Sequence, residues 1–374
     1  MQVFCPSCQT VQVLTPEEWR CQCGQAWEPV SQTDFFTDRI EGQRKDLWRY
    51  RNLFGLDFVE PKIVLGAGWT PLLPIDYQNQ RVLLKLEYLS PSGSFKDRGT
   101  EVEINALSQQ GVNIVVDDSS GNAGASLAAY AARGGMEAKI FVPNYTSQAK
   151  INQISAYGAK VHSIEGKRED AKIEALRSLK PGVVYASHEY HPGFLLGQES
   201  VAWELWEQMN GQVPDWYVVP VGQGVHLLGA WLGFSRLKAA GLIKRLPRLI
   251  AVQPALLDPI LRTMKSGGND LVELNPARPS IAEGLAVAKP SRWKRVIQAI
   301  HESNGMGISV EEDDIHNAQI ELAHLGFFVE PTSATVFAAL PQLLSHIKPG
   351  DKVVLPLTGS GLKGDLNPSG AQTH

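Results

Sequence analysis

The sequence predicts an α/β protein of two domains, each a parallel β-sheet covered by helices, preceded by a small cysteine-bearing segment. Three observations predict it. Short β-branched runs alternate with helical patterns along most of the chain, as strands joined by crossover helices do. The length of 374 residues suits two ordinary domains plus an appendage. All four cysteines fall within the first 23 residues, as Cys5-x2-Cys8 and Cys21-x-Cys23.

Taken in order, residues 1–30 come first. Thiols clustered at one end of a long chain without a signal sequence argue for a metal site rather than a disulfide framework. Four thiolates close a tetrahedral zinc site, and so short a segment has no core of its own. Residues 1–30 are therefore expected to be zinc-ribbon-like, with Cys5, Cys8, Cys21 and Cys23 as ligands. The second pair is one residue short of the usual knuckle, so free thiols are the alternative. Gln32 to Glu60 reads as an arm that docks through its aromatic residues, and Gly66 to Pro74 as a punctuated loop entering the fold.

Strands are expected at Val82–Leu86, Val112–Val116, Ala138–Val142, Lys160–Ile164, Val183–Ala186, Tyr217–Val221, Leu249–Val252, Phe327–Val329 and Val353–Leu357. Between them the spacing predicts helices over Thr100–Gln109, Ala123–Arg133, Gln148–Tyr157, Glu169–Leu179, Leu195–Met209, Leu227–Ala240, Asp313–Leu325 and Ser333–Ser345. A polar tail follows Gly364.

Ligands of an open α/β sheet bind at the carboxyl ends of its strands, and four such ends carry unusual residues. The first is Pro91-Ser92-Gly93-Ser94-Phe95-Lys96-Asp97-Arg98-Gly99. Ser94 with Asp97 three residues on reads as a capping box, which puts Lys96 in a first helical turn, against the helix dipole. A desolvated cation there loses its proton readily; an exposed loop lysine is the plain alternative. The second, Asp117 to Ser126, leads Ser119, Ser120, Gly121 and Asn122 into a helix start whose free N–H groups can receive a carboxylate. Taken by itself, an ordinary Ser/Asn cap is the simpler account. In the third, Gly222-Gln223-Gly224-Val225-His226, two glycines let the backbone approach a phosphate. Leu227 stands where a dinucleotide loop has its third glycine, so a mononucleotide or small phosphorylated cofactor fits better than a dinucleotide. The fourth, Thr358-Gly359-Ser360-Gly361-Leu362-Lys363-Gly364, again sets hydroxyls among glycines.

In this order the four loops resemble the β-family of pyridoxal-phosphate enzymes (fold type II), in its threonine synthase-like branch. Leu47-Trp48-Arg49-Tyr50, Gly68-Trp69-Thr70-Pro71-Leu72, Ser280 to Leu285 and Glu330-Pro331-Thr332-Ser333-Ala334 extend the likeness, and a cysteine ribbon also occurs in this branch. The resemblance implies a large cofactor-binding domain from 31–100 and 191–374, and a smaller α/β domain from 101–190. It implies that Lys96 bonds the cofactor aldehyde and shuttles protons, and that Asn122 meets the phenolic oxygen. Ser119, Ser120 and Gly121 would take the substrate carboxylate. Gly222, Gln223, Gly224, Val225 and His226 would bind phosphate through N–H groups, and Thr358 would face the ring nitrogen. A neutral hydroxyl at that nitrogen suits elimination and replacement better than transamination.

Three positions depart from the family pattern. Phe194 in His191-Pro192-Gly193-Phe194 stands where an arginine grips the phosphate of phosphohomoserine. The phosphate loop lacks its asparagines, and Ser360 replaces a common histidine. The expectation is a lyase, threonine synthase or a relative. A serine/threonine dehydratase-like or β-replacement enzyme is the near alternative, and a non-catalytic binding protein is the reading of another class. Net charge −4 and pI near 6.2 give no general attraction to nucleic acid or anionic membrane. No apolar run reaches the roughly 18 residues of a membrane span. A cytoplasmic enzyme on a small amino acid is expected, and the family implies a homodimer.

Overall fold

The computed structural model describes residues 1–30, 35–56, 60–146 and 148–364, so the polar tail after Gly364 lies outside the described residues. Strands β1 (Gln2–Phe4), β2 (Val11–Val13) and β3 (Glu28–Pro29) form an antiparallel sheet in the order β2-β1-β3. Its core is only Val3, Cys5, Leu14, Cys21 and Trp27, too little apolar surface to hold a fold alone.

Next, β4 (Leu72–Tyr77) and β5 (Gln80–Lys85) make a hairpin whose turn residues, Gln78 and Asn79, both have positive φ. This is the twist-matched two-residue connection. β5 then joins β10 (Trp216–Pro220), β11 (Arg248–Pro254), β12 (Met306–Val310) and β13 (Val353–Pro356) in a six-stranded sheet, ordered β12-β11-β10-β13-β5-β4. Every pairing in it is parallel except β4 with β5. The expectation of purely parallel sheets is corrected here. Pro74 disguised β4 in the sequence, and an edge strand is where a proline is tolerated. The second sheet, β6 (Ile114–Asp117), β7 (Glu137–Pro143), β8 (Lys160–Ile164) and β9 (Val183–Tyr185), is wholly parallel in the order β8-β7-β6-β9.

Helices α1 (Lys96–Gln109), α2 (Asn122–Arg133), α3 (Gln148–Ala156), α4 (Arg168–Arg177), α5 (Pro192–Gln208) and α6 (Val225–Ala239) follow the expected order. α7 (Pro259–Ser266) and α8 (Trp293–Glu302) were not anticipated; α8 buries Val296, Ala299 and Ile300, a three–four spacing short enough to pass for loop. α9 (Glu312–His324) matches. The helix expected over Ser333–Ser345 is two, α10 (Pro331–Ala338) and α11 (Leu340–Leu344). Pro341 has no N–H to give and its ring would strike the carbonyl four residues back, so the helix breaks there. Phe327–Val329 is no strand; only Val329 bridges, to Ser360. No described helix is long and apolar enough to cross a membrane.

α1, α5 and β5 are locked together by charge. The Arg98 guanidinium forks onto Glu87 (2.7 Å twice) and reaches Glu204 (2.8 Å), while the Lys85 amine pairs with Glu204 and donates to the Thr70 carbonyl (2.6 Å). All four charged side chains are fully buried. Burial alone would raise the Glu87 carboxyl, but Arg98 outweighs it and holds it at about 2. Close approach makes this possible: a Cβ on Gly197 of α5 would lie 2.0 Å from the Arg98 carbonyl oxygen.

Removing one member of a buried, charge-balanced group leaves an uncompensated charge. Glu204→Gln is expected to destabilise the protein by about 3–5 kcal/mol. The urea midpoint of the cofactor-free protein measures this, and an unchanged midpoint would refute it.

Candidate active site

The carboxyl ends of β5, β6, β10 and β13 bring the four loops together. After β5 the chain makes a short turn over Glu87–Leu89 and enters α1 at Lys96. The expected capping box is not what forms. Phe95 is the N-cap and has no side-chain cap bond, and the Ser94 hydroxyl is buried without a partner. Asp97 has better donors: it accepts from the Ser92 N–H (2.6 Å), the Ser92 hydroxyl (2.5 Å) and the Ser126 hydroxyl of α2 (2.6 Å). That pins the lysine loop to the neighbouring sheet.

The Lys96 amine forms no ion pair or hydrogen bond among the described residues. It lies 4.8 Å from the ring centre of Phe95 and 5.7 Å from that of Phe194. Burial, aided by the positive charge of Arg168, lowers it to about 7 against the pull of Asp117, Glu330 and Glu189. The lowered value argued from the helix dipole is thus present, but its main cause is desolvation.

In the second loop, Ser119, Ser120 and Gly121 follow β6, and Gly121 caps α2. A Cβ on Gly124 would sit 1.9 Å from the Ser119 carbonyl oxygen, so only glycine lets the loop fold over this helix start. The Asn122 amide donates to both carboxylate oxygens of Glu330 (2.9 and 3.1 Å). Asp117, whose carboxyl is raised well above its usual range by burial and by Asp118, keeps one oxygen unpartnered.

In the third loop, Gly224 adopts φ +83° to turn β10 into α6. No backbone N–H from Gly222 to His226 donates a hydrogen bond among the described residues, although nearly all of this loop is buried. Five unspent donors at a helix start form an anion cradle. The His226 side chain is not part of it. Its ring contacts the Tyr217 hydroxyl (2.8 Å) and Gln198 (3.1 Å), and burial pushes it down to about 4, so the ring is neutral and structural.

The fourth loop is knitted to the first. Phe95 N–H donates to the Thr358 carbonyl (3.0 Å), Ser360 N–H to the Gly93 carbonyl (3.0 Å), and Ser94 bridges Gly359. The Thr358 hydroxyl sits 3.2 Å from that of Ser333. Glu330, Ser333, Arg168, His188 and Glu189 were not assigned from sequence. Only Glu330 and Ser333 left a signal, in the Glu330-Pro331-Thr332-Ser333 stretch. Phe194 of α5 is fully buried against α1, where a Cβ on Gly99 would lie 2.5 Å from its ring.

At the far end, the Sγ atoms of Cys5, Cys8, Cys21 and Cys23 lie within 4.8 Å of one another, the closest pairs at 3.4 and 3.5 Å. Sulfurs each about 2.3 Å from one tetrahedral ion stand roughly 3.8 Å apart. The four thiols therefore fit a closed metal site.

A poised lysine whose neighbour Phe95 packs on the anion cradle's His226, between two α/β sheets, fits a cofactor-dependent enzyme. The chain belongs to the pyridoxal-phosphate dependent enzyme family, whose model matches residues 63–359. It is 32% identical over 360 residues to a threonine synthase of Methanocaldococcus jannaschii, covering 92% of this chain and 88% of that protein. A Synechocystis threonine synthase is 32% identical over 322 residues, 84% of this chain and 82% of its own. Among solved structures, an L-serine ammonia-lyase from Rhizomucor miehei shares the fold, with a TM-score of 0.69 at 24% identity over 78% of this chain and 93% of that one.

Reactivity of Lys96 checks its environment. Labelling of the cofactor-free protein by a small aldehyde with borohydride is expected to rise with pH through a midpoint of about 7. Since the folded value is below that of the unfolded chain, Lys96 also favours folding increasingly as pH rises from about 7 toward 10.5. Lys96→Met should flatten both profiles; a labelling midpoint near 10 would contradict the burial argument.

Proposed function

We propose that this enzyme is a threonine synthase-type lyase that converts O-phosphohomoserine and water to threonine and phosphate. The observation that carries the reading is the Lys96 amine, near neutrality at about 7, next to Phe95, whose ring packs on His226 of the unspent anion cradle at 4.7 Å. The two threonine synthase relatives support the substrate. In this reading Lys96 would bond the cofactor aldehyde, Gly222, Gln223, Gly224, Val225 and His226 its phosphate, Asn122 its phenolic oxygen and Thr358 its ring nitrogen. When bound, the cofactor supplies the electron sink that makes hydrogens on the substrate's carbons acidic. Lys96 takes those protons and returns them, which an amine near pKa 7 does in both directions. Ser119, Ser120 and Gly121 hold the substrate carboxylate at the start of α2. Glu330 orients the Asn122 amide, and Phe95 and Phe194 keep bulk water from the amine.

Phe194 favours a second reading, an ammonia-lyase acting on a short hydroxy amino acid, because the expected phosphate-gripping arginine is missing. Arg168 answers it. This half-buried first residue of α4 has no carboxylate partner among the described ion pairs, and its charge is felt at Lys96, Asp117 and His188. Phosphate release with threonine formation from phosphohomoserine tests the first reading, and deamination of serine or threonine without it would establish the second. Arg168→Gln is expected to raise KM for phosphohomoserine by about 10- to 100-fold, the loss of a charge-assisted bond, with a smaller change in kcat. An unchanged KM would remove Arg168 from the role.

The thiol cluster belongs to the same proposal as a structural zinc site. About one zinc per chain by metal analysis, lost in Cys8→Ser together with several degrees of Tm, is the expected outcome; a zinc-free wild type of equal stability would refute it. The division into 1–30, 31–100 with 191–374, and 101–190 is likewise proposed. It is supported by a four-stranded sheet confined to 114–185, although α1 runs across residue 100. A cytoplasmic homodimer completes the reading, and mass in solution tests the dimer.

A further inference from the structure

Arg292, just ahead of α8, is almost wholly buried, yet its guanidinium grips neutral backbone rather than a ligand. Its Nε donates to the Glu189 carbonyl (2.8 Å), and one Nη donates to the carbonyls of Tyr190 (3.2 Å) and of Trp27 (2.9 Å). The other Nη lies 3.9 Å from Glu28, which is itself forked onto Arg295 at 2.7 Å twice. One side chain thus joins three segments: β3 of the N-terminal sheet, the loop after β9, and the entrance to α8. The adjoining residue reaches a fourth, since Ser291 N–H donates to the Gln223 side chain of the anion cradle (3.2 Å).

The loop that Arg292 holds is a wall of the cleft. His188 packs against Phe194 at 5.8 Å, Phe194 adjoins Lys96, and Glu189 is among the charges that act on the amine. Between β9 and α5 this loop lacks regular structure, so a buried carbonyl needs a donor from elsewhere. The N-terminal segment braces the same wall from outside. Trp19 sets its ring edge-on to Tyr185 (5.1 Å) and Tyr190 (4.8 Å). Burying a guanidinium on neutral carbonyls costs solvation that an apolar residue would not. A planar fork supplies in return a fixed spacing between the carbonyls it holds.

We propose that Arg292 is a positioning residue, fixing the Glu189–Tyr190 wall relative to the Gly222–Gly224 cradle, with the N-terminal sheet as the outer anchor of its fork. The inference rests on that loop facing the substrate, whichever amino acid binds. In the full-length holoenzyme, Arg292→Gln should bind cofactor within about twofold of wild type by visible absorbance. It should raise the dissociation constant of the amino-acid substrate, read as a spectral shift, by roughly 10-fold or more, as misplacement of a binding wall does. The change in kcat should be smaller, within about threefold, and Arg292→Lys should restore only part of the affinity, because an ammonium cannot fork. Trp19→Leu, which leaves every carbonyl bond intact, should weaken substrate in the same direction by about two- to threefold. Unchanged substrate affinity with only a lower Tm would overturn the proposal, as would loss of cofactor binding in Arg292→Gln. If that variant does not fold, unchanged affinity in Trp19→Leu overturns it. Should phosphohomoserine leave the wild-type spectrum unmoved, the titrations use the amino acid that does shift it. The substrate reading then fails in wild type, and the role of Arg292 is still decided by the variants.

Discussion

Everything at the site hangs on the buried charges of Lys85, Glu87, Arg98 and Glu204. Two cations and two anions, all inaccessible, would be ruinous singly and are tolerable only together. Their mutual dependence fixes three elements at once: the end of β5, the first turn of α1 and the middle of α5. Lys96 is two residues from Arg98, so the reactive amine inherits its position from this cluster. Its own loop then needs little capping: the Ser94 hydroxyl is left without a partner while Asp97 ties the loop to Ser126 of α2.

The same cluster explains a contrast between two lysines. Lys85 is as deeply enclosed as a side chain can be, and burial lowers it too, but its amine donates to Glu204 and to the Thr70 carbonyl. Lys96 has aromatic rings beside it and no carboxylate in hydrogen-bond reach, and it settles at about 7. Burial lowers both amines; what separates them is that acceptors occupy the Lys85 amine and leave that of Lys96 open. His226 makes the parallel point on the acid side. It opens a helix at the anion cradle, yet its ring is occupied by Tyr217 and Gln198, so only its backbone is available.

Much of this was legible in the sequence. Alternating strands and helices, and the loops at Lys96, Ser119–Asn122, Gly222–His226 and Thr358, carry local signatures that need no knowledge of the far side of the molecule. What was not legible depends on distant partners. β4 is a strand because it pairs with β5 at an edge, despite Pro74. Asp97 abandons Ser94 because Ser126, 29 residues on, is a better donor. Glu330 meets Asn122 across 208 residues, and no spacing rule reaches so far. Arg168 is an ordinary helix-opening arginine until the fold brings its charge within electrostatic reach of Lys96.

Phe194 shows how such a site can change without losing its chemistry. Its ring lies on Gly99 of α1, in a slot that any larger residue at 99 would fill. A guanidinium seated there would face the same helix that carries Lys96, adding a second positive charge beside an amine already depressed by burial and by Arg168. An apolar ring keeps the amine dry without that repulsion. The positive charge is carried instead by α4, held in place by the Asp170 bond to the Lys167 N–H (2.7 Å) that caps the helix. In the proposed reading, a cation on α4 in place of one on α5 keeps positive charge near the leaving group and leaves an apolar ring beside the amine. Phe194 touches His188 of the loop just ahead of α5, so in the same reading the frame that Arg292 and the N-terminal sheet supply from behind bears on substrate choice together with the groups inside the site.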